Sequence, residues 1–598
     1  MDQTTLARTR RRWRFYEPGL EVAAAGDRLS EQLRVDRLVG RLLVRRGISG
    51  VDEACRFLDP KLTHLHDPAL LPGIDDAVRL IVQAVRCGRP IVVYGDYDVD
   101  GITASSILWH VLKQAGAKVS TYTPHRIDDG YGLNSDAIRQ LAESPDGKPL
   151  IISVDCGITA LEPARVAREL GVELIITDHH EFEPDALPEA SAIVHPRLPG
   201  SKYPFGYLCG AGVAFKVAWQ FARVHCGSQR VPESFRALLL DLLSLAALGT
   251  VADVVPLVNE NRVITRHGLG HIKRTSLPGL AALLDASRLS GEKIDAYHVG
   301  FVLGPRLNAC GRMGHAGEAV RLLTEADATS AAQIASFLAT ENDRRRQTER
   351  LIYDEAHQMV LDGGHDSDDR RAIVLGKADW HVGVMGIVAS RLVESFCRPV
   401  VLLSFDNGRA QGSARSVPGL SVHDAMQSCA PLLTSFGGHA MAAGVRLETQ
   451  NVDAFRDQFV AYVNNNLTPS DLRHELQIDT DCTLADLDVG LFEQLERLAP
   501  FGRDNPAPLL CLRDAGLDEV PRRVGSDGSH ARLVLRQGSR QASAIGFGLA
   551  DQAAEHAAGD RIDVAFVPKM GTWKGRMQLE LHVKDLRAAG DGDSDVAT

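Results

Sequence analysis

Between residues 91 and 196 the chain repeats one pattern. A short run with apolar residues at most positions gives way to a longer segment with helix-like periodicity. The apolar runs fall at 91–95 (IVVYG), 118–123 (KVSTYT), 150–154 (LIISV), 173–177 (ELIIT) and 192–194 (AIV). Runs this short, without a polar face, read as strands buried on both sides. The first four segments between them can hold helices, and 103–115, 134–143 and 159–170 are amphipathic. Strand and helix in alternation predict a parallel sheet covered on both faces. Residues 233–249 (ESFRALLLDLLSLAALG) predict a buried helix ended by Gly249. From about 317 to 361 the chain is charged and helix-favouring, with no proline and one glycine at its start, which predicts a single long connecting helix.

A second α/β pattern follows, with strands at 372–376, 399–405 and 441–447 and helices at 382–396 and 421–433. Beyond it the period shortens. Residues 531–548, 561–570 and 576–586 alternate about glycine-containing turns, which predicts an antiparallel sheet closed into a small barrel. The last residues, from Ala588, are acidic and small, and predict a disordered tail. The expected fold class is α/β: two α/β lobes joined by a long helix, plus a C-terminal β-barrel. The domain expectation is an N-terminal helix-and-loop region at 1–70, a first lobe at 71–316, a connecting helix at 317–365, a second lobe at 366–465, the barrel at 471–588 and a tail at 589–598.

Length and composition narrow the function classes. At ~100–200 residues per domain, 598 residues hold several domains, each with its own core. No apolar run reaches the ~20 residues of a membrane span, and the N-terminal arginines precede no apolar segment, so a cytoplasmic protein away from the membrane is expected. Ten cysteines stand singly, none in a CxxC pair, which suits a reducing compartment and argues against a zinc ribbon. The net charge of −11 gives no general attraction to a polyanion, so a nucleic-acid binder of this composition needs local basic surface. Candidate runs are Arg8, Arg10, Arg11, Arg12 and Arg14, and Arg344–Arg346, although a solvated surface or helix face is the simpler account of each run taken alone.

The stretch IVVYGDYDVDG (91–101) sets the chemistry. Asp96, Asp98 and Asp100 stand at every second position and are followed by Gly101, expected to let the chain turn into the next helix. The spacing matches half of an EF-hand loop, but its twelfth position is Ile107 rather than glutamate, and a strand precedes it rather than a helix. Asp155 follows the strand LIISV, and Asp178-His179-His180 follows LIIT. Open α/β sheets bind ligands beyond the carboxyl ends of their strands, so three strand ends aim carboxylates and imidazoles at one crevice. Asp253, in ADVV after the buried helix, is a further candidate. Carboxylates with imidazole suit Mn²⁺ or Mg²⁺ better than thiolate-bound zinc, and this many ligands exceeds the usual share of one ion. A two-metal phosphoesterase is the reading from the residues.

GDYDVDG, VDCG, TDHH and ADVV resemble, in order, the four motifs of the DHH phosphoesterase superfamily. TPHRIDDGYGLN (123–134), GPRLNACGRMG (304–314), WHVGVMGIVASRL (380–392), GSARS (412–416) and SFGGHAMAAG (435–444) resemble its single-strand-specific 5′→3′ DNA exonucleases, and the likeness covers roughly residues 70–590. It implies two divalent ions, Mn²⁺ or Mg²⁺, with Asp98 on one ion and Asp100 on the other. Asp155 would bridge them, and His179 and Asp253 would complete the second. His180 would stand at the scissile phosphate as acid or charge stabiliser, with Asp96 and Asp178 in support.

Substrate residues follow from the same resemblance. Arg126 and Tyr131 could grip a phosphate and stack on a base. Arg306, Asn308 and Arg312 lie in a short polar segment that could face the substrate. Ser413, Arg415 and Ser416, in one loop after glycine, read as a phosphate pocket, and by resemblance it would hold the 5′-phosphate. Gly437-Gly438-His439 allows close backbone approach and adds an imidazole, and His381 is either a helix-start residue or a substrate contact. The C-terminal barrel resembles an OB-fold, with Arg522, Arg523, Lys569, Lys574 and Arg576 as charge and Trp573 as a stacking ring. The implied enzyme threads single-stranded DNA through a two-lobe cleft, in repair and recombination, as a monomer, with a single-strand-binding protein and a helicase as partners. One rival is a phosphodiesterase of short oligonucleotides or cyclic dinucleotides on the same fold; another is an inactive DNA-binding scaffold.

Overall fold

The computed structural model describes residues 11–16, 20–124, 132–313, 316–573 and 576–590. The chain forms two units. One comprises Gly50–Arg344 with Arg497–Ala507, and the other Met1–Ser49, Arg345–Glu496 and Pro508–Thr598. Residues 1–70 are thus shared between them, and the N-terminal part contains a strand, Arg12–Phe15, as well as helices and loops.

The first unit is built on the five expected strands, all parallel, in the order Val119–Tyr122, Ile91–Gly95, Leu150–Val154, Glu173–Thr177, Ala192–Val194. Their side chains alternate between two cores. Ile91, Val93, Ile152 and Ile175 pack with helices Ile74–Arg86, Val99–Gln114 and Gly210–His225. Tyr94, Ile151, Leu174 and Ile176 pack with Ser135–Ala142 and Leu161–Glu169. Gly95, Val154 and Thr177 lie side by side in register, so the residues that follow them leave one edge of the sheet together.

Four expectations need correction here. The fourth connection, 178–191, holds no helix, because Pro184 and Pro188 deny it continuous backbone donors. The helix expected at 103–115 begins at Val99, because Asp98 caps it, Oδ1 accepting from Asp100 N at 2.9 Å and Gly101 N at 3.2 Å. Gly101 therefore lies within the first turn, and its use is close approach: a Cβ there would meet Asp96 O at 2.5 Å. The helix ended in expectation by Gly249 runs from Glu233 to Ala252. At 20 residues and a mean hydropathy of 1.7 it is long and apolar enough to cross a membrane, but it packs into the core of this unit against Val99–Gln114, Gly210–His225 and Asn259–His271.

The expected connecting helix is two helices, Ala316–Leu323 and Ala328–Asp362. They part where Asp327 turns its carboxylate onto Thr329 N (3.1 Å) and Ser330 N (2.8 Å), starting a new helix. Arg345, in the basic run within it, is buried and pairs with Glu349 at 2.7 Å.

In the second unit a five-stranded mixed sheet has the order Ser435–His439, Ala442–Glu448, Arg409–Arg415, Val400–Asp406, Ile373–Ala378. Strands Arg409–Arg415 and Ser435–His439 escaped the sequence reading because glycines at 412, 437 and 438 interrupt their apolar pattern. The helix expected at 421–433 ends at Ser428, since Pro431 permits only a 3₁₀ turn at Ala430–Leu432. Helices Val422–Ser428 and Val452–Asn466 bury one face of the sheet.

The same unit contains a closed barrel. Leu510–Leu517, Arg561–Trp573, Arg576–Ala588, Arg540–Gly546 and His530–Gln537 pair in turn, and the ring closes where Leu517 and Gly516 meet Leu535 and Arg536. The sheet is not wholly antiparallel as expected: Arg540–Gly546 runs parallel to Arg576–Ala588, the pairing that an OB-type ring requires. The N-terminal strand Arg12–Phe15 adds in parallel to Glu475–Ile478, and Trp13 Nε1 donates to Asp585 of the barrel at 2.7 Å.

Candidate metal centre

Asp96, Asp155 and Asp178 each follow a strand of the parallel sheet at its carboxyl edge. Asp100, fully buried in the first turn of Val99–Gln114, reaches the N-terminus of helix Gly210–His225. Its oxygens accept from Gly210 N at 2.6 Å and Ala211 N at 2.8 Å, an anion on the positive end of a helix. The approach demands glycines. A Cβ on Gly249 would meet Asp100 Oδ1 at 2.4 Å, and one on Gly210 would meet Asp155 Cβ at 2.5 Å. Asp155 itself holds a left-handed φ of 59°, uncommon for a non-glycine residue and found at functional sites. Asp253 follows the buried helix, its amide still bonded to Gly249 O at 2.9 Å.

His179 projects into this group. Its Nε2 lies 3.1 Å from Asp155 Oδ1, 3.6 Å from Asp253 Oδ2 and 3.8 Å from Asp100 Oδ2. His180 turns the other way, its Nδ1 2.7 Å from Asp178 Oδ1. Asp178 also accepts from the amides of His179 (2.7 Å), His180 (3.2 Å) and Ile158 (2.9 Å), so its carboxylate is committed to shaping the loop. Two residues absent from the sequence reading brace the loop from behind. His195 Nε2 meets His180 O at 2.9 Å, and Arg197 Nη2 donates to His179 O at 2.7 Å.

The electrostatics follow from crowding acids away from water. Burial and then the charges of Asp100, Asp98, Asp96 and Asp253 drive the Asp155 carboxyl far above its ordinary range. Burial raises Asp100 as well, with the His179 charge opposing it, and burial with Asp100 and Asp98 pushes Asp253 up to about 8. Burial lowers His179 to about 4, so the ring is neutral, the form that ligates metals. Burial also weighs against a charged His180, but the hydrogen bond and charge of Asp178 outweigh it and hold the ring near 9; burial works against Asp178 too, yet the same contacts bring it to about 2.

These residues fit divalent cations. Three groups have ligand atoms within 4.8 Å of one another: Asp155 with His179 and His180, Asp100 with His179 and Asp253, and Asp96 with Asp98 and Asp155. Asp155 Oδ1 and His179 Nε2 are buried and make no hydrogen bond, a costly state for two polar atoms that an ion between them would remove. Oxygen donors with one or two imidazoles match Mn²⁺ or Mg²⁺.

The remaining sequence candidates fall in several places. Arg306, Asn308 and Arg312 lie on a helix, Gly304–Met313, rather than in a short irregular segment, and Arg306 Nη1 donates to Val302 O at 2.7 Å. In the second unit Ser413 and Arg415 lie on a strand, not in a loop, with Arg415 Nη1 2.9 Å from Ser413 Oγ. A Cβ on Gly386 of helix Val382–Phe396 would meet Arg415 Nη2 at 2.6 Å, so the pair sits beside the start of that helix, which His381 caps through Gly383 N at 3.2 Å. Gly437 and His439 occupy the adjoining edge strand: Ser413 pairs with Gly444 and Gly444 with Gly437, while Arg415 pairs with Ala442 and Ala442 with His439. Ser416 is set apart, buried with its hydroxyl donated to Leu420 O at 2.8 Å, and Gly438 has its missing side chain toward Ala442 O. Arg522 and Arg523 pair with Glu519 and Asp551. Arg126, Tyr131, Lys574 and the side chains of Trp573 and Arg576 lie outside the described residues, as do Arg8 and Arg10.

Known proteins share this organisation. Residues 90–250 match the DHH family N-terminal domain, 369–465 the DHHA1 domain and 478–585 the RecJ OB domain. A single-stranded-DNA-specific exonuclease RecJ of Bacillus subtilis is 39% identical over 96% of this chain and 70% of its own length. The crystal structure of RecJ from Thermus thermophilus in complex with Mn²⁺ matches with a TM-score of 0.80 at 32% identity, over 97% of this chain and 80% of that one. The Mg²⁺ complex of RecJ from the same organism matches with a TM-score of 0.75 at 31% identity, over 97% and 79%.

Proposed function

Because the chain belongs to the RecJ family of single-stranded-DNA-specific exonucleases, we infer that it hydrolyses single-stranded DNA from the 5′ end with divalent metal ions. The observation that supports this reading best is the convergence of half-buried Asp98, His179 and Asp253 on buried Asp100 and Asp155, whose crowded carboxylates cations would relieve. Asp98 and Asp100 would each serve a different ion, Asp155 would join the two, and His179 and Asp253 would complete the second. Bound there, Mn²⁺ or Mg²⁺ supplies activation of water and neutralises charge on the phosphoryl oxygens.

The chain's own groups do the rest. Asp178 fixes the tautomer and charge of His180 through Nδ1, so Nε2 is the atom that would meet a phosphoryl or leaving oxygen. Asp96, buried beside Asp98 and Asp155, holds the acidic strand end in place. Ser413, Arg415, His381, Gly437 and His439 form a polar patch suited to a terminal 5′-phosphate, and Arg306, Asn308 and Arg312 would follow the strand. Residues 71–316 are assigned the chemistry, 366–465 the strand's end and the barrel at 471–588 the grip on single-stranded DNA. The closed barrel with an exposed Phe547 favours a long strand over a dinucleotide. A monomeric cytoplasmic enzyme of DNA repair and recombination, working with a single-strand-binding protein and a helicase, completes the proposal.

Digestion of single strands labelled at either end, with and without a 5′-phosphate, in Mn²⁺ and in Mg²⁺, tests it. Mononucleotides released from the 5′ end are expected. Release from the 3′ end, or faster cleavage of a dinucleotide than of a long strand, overturns the assignment.

A further inference from the structure

Residues Arg497–Ala507 belong to the catalytic unit, although the chain on either side of them belongs to the other. The anchoring of this strap is elaborate for a connecting segment. Arg262, only 1% exposed, donates to Leu498 O (2.8 Å), Arg497 O (2.9 Å) and Ala499 O (2.8 Å) of the strap, and to Phe57 O (2.8 Å), with its guanidinium 3.8 Å from the Phe57 ring centre. Asn505 is fully buried and donates to Leu498 O and Pro500 O, both at 2.8 Å, which closes the strap into a loop. Gly502 and Asn505 exchange backbone hydrogen bonds of 2.9 and 3.2 Å, and Leu257 N donates to Arg503 O at 2.9 Å. A Cβ on Gly502 would come within 2.6 Å of Leu257.

All of this fixes the backbone of an exposed turn at 502–504, which carries Arg503 with Asp504 beside it. Its Nη1 is 3.4 Å from Val254 O, the residue after Asp253, and its charge is felt by the Asp253 carboxyl. At that length the Val254 contact is weak. Among the described residues Arg503 is exposed and has no carboxylate within 4.0 Å. A guanidinium carried on an anchored backbone at the rim of a carboxylate cluster, with no carboxylate of its own, is placed to receive an anion.

We propose that Arg503 is a phosphate-binding residue of the nuclease site, taking a non-bridging oxygen of the strand's backbone next to the metal cluster. The inference rests on the functional reading above. A single strand approaching this rim meets the field of five aspartates, and a cation beside Asp253 offsets it where the phosphate must pass. The planar fork of arginine suits a phosphate oxygen pair, and lysine keeps the charge without the fork.

Fluorescence anisotropy on the full chain with a labelled oligodeoxythymidylate in EDTA, where no cleavage occurs, tests it across a salt series. Arg503→Ala is expected to weaken binding about two- to fivefold, the range of one exposed charge contact. The slope of log K against log salt should fall by about 0.7, the value for one phosphate on a single strand. Arg503→Lys should restore the slope, and Arg503→Glu should bind more weakly than Arg503→Ala. In Mn²⁺, KM should rise more than kcat falls, with the half-saturating Mn²⁺ concentration and the thermal midpoint unchanged. An unchanged slope in Arg503→Ala overturns the proposal while the wild-type chain still digests single strands. So does a shifted Mn²⁺ requirement at constant DNA affinity, which would make Arg503 a tuner of Asp253 alone. A wild-type chain that neither binds nor digests single strands overturns the functional reading and this inference together.

Discussion

His179 and Asp155 face each other across 3.1 Å, ring nitrogen to carboxylate oxygen, and neither atom makes a hydrogen bond. The ring is neutral, the form that ligates metals, and one ion shared by the two buried atoms would satisfy both. Asp155→Ala should therefore cost more activity than the ~10–100-fold typical of changes outside the ligand shell. Calorimetric titration with Mn²⁺ should show at least one ion lost. Nuclease activity unchanged in metal-replete buffer would remove Asp155 from the metal centre.

Gly249→Ala places a methyl group 2.4 Å from Asp100 Oδ1 and 2.7 Å from Thr103 Oγ1. Overpacking of a core costs about 1–3 kcal/mol, and here the strain falls on a carboxylate held by two helix amides. Thermal midpoint and Mn²⁺ affinity should fall together. A variant with a lowered midpoint but wild-type Mn²⁺ affinity would show that the helix, not Asp100, yields.

Legibility in the sequence tracked how local the physics was. The three central strands of the parallel sheet are readable because they are buried on both faces, the half-buried edge strand Val119–Tyr122 by its β-branched and aromatic residues, and the aspartates after the central three mark the site. Strands with glycine in them, such as Arg409–Arg415, lacked that contrast and were read as loops. Gly249 was read as a helix end because its reason is tertiary, the approach of Asp100 from far along the chain. Gly210 was passed over for the same reason, with only the small residues of CGAG at a helix start as a clue. His195 and Arg197 act through backbone carbonyls of the loop at 179–180, which leaves no spacing signature.

His110 supplies a pH dependence away from the metal centre. It is half-buried on helix Val99–Gln114, and its Nε2 meets Leu323 O at 2.7 Å. Burial lowers its pKa, outweighing the Leu323 carbonyl and the Asp241 charge, which favour the proton. The unfolded chain therefore takes up this proton at a higher pH than the folded one. The stabilisation is complete above the unfolded value of ~6.5 and is lost as pH falls toward the folded value. Urea midpoints measured in EDTA between about pH 7 and pH 5 should fall, and His110→Gln, which keeps a donor for Leu323 O, should flatten the fall. An equal fall in both proteins would assign the effect to other histidines.

Phe547 is the exposed aromatic on the barrel that the sequence reading overlooked in favour of Trp573. It follows strand Arg540–Gly546, is 52% exposed, and meets His530 and His582 edge-on at 5.2 and 5.5 Å. Gly548 N donates to His530 Nδ1 at 3.1 Å, which fixes that ring and the turn carrying Phe547. A large apolar ring held upright on the face formed by His530–Gln537 and Arg540–Gly546 is where OB-folds stack bases. Phe547→Ala should weaken binding of a long single strand by about 1–3 kcal/mol, roughly 5- to 150-fold. Hydrolysis of a dinucleotide, which has no further base to offer the barrel once it occupies the metal centre, should be unchanged. Equal loss on both substrates would instead make Phe547 a support for the fold, because a stacking platform can affect only the substrate that touches it.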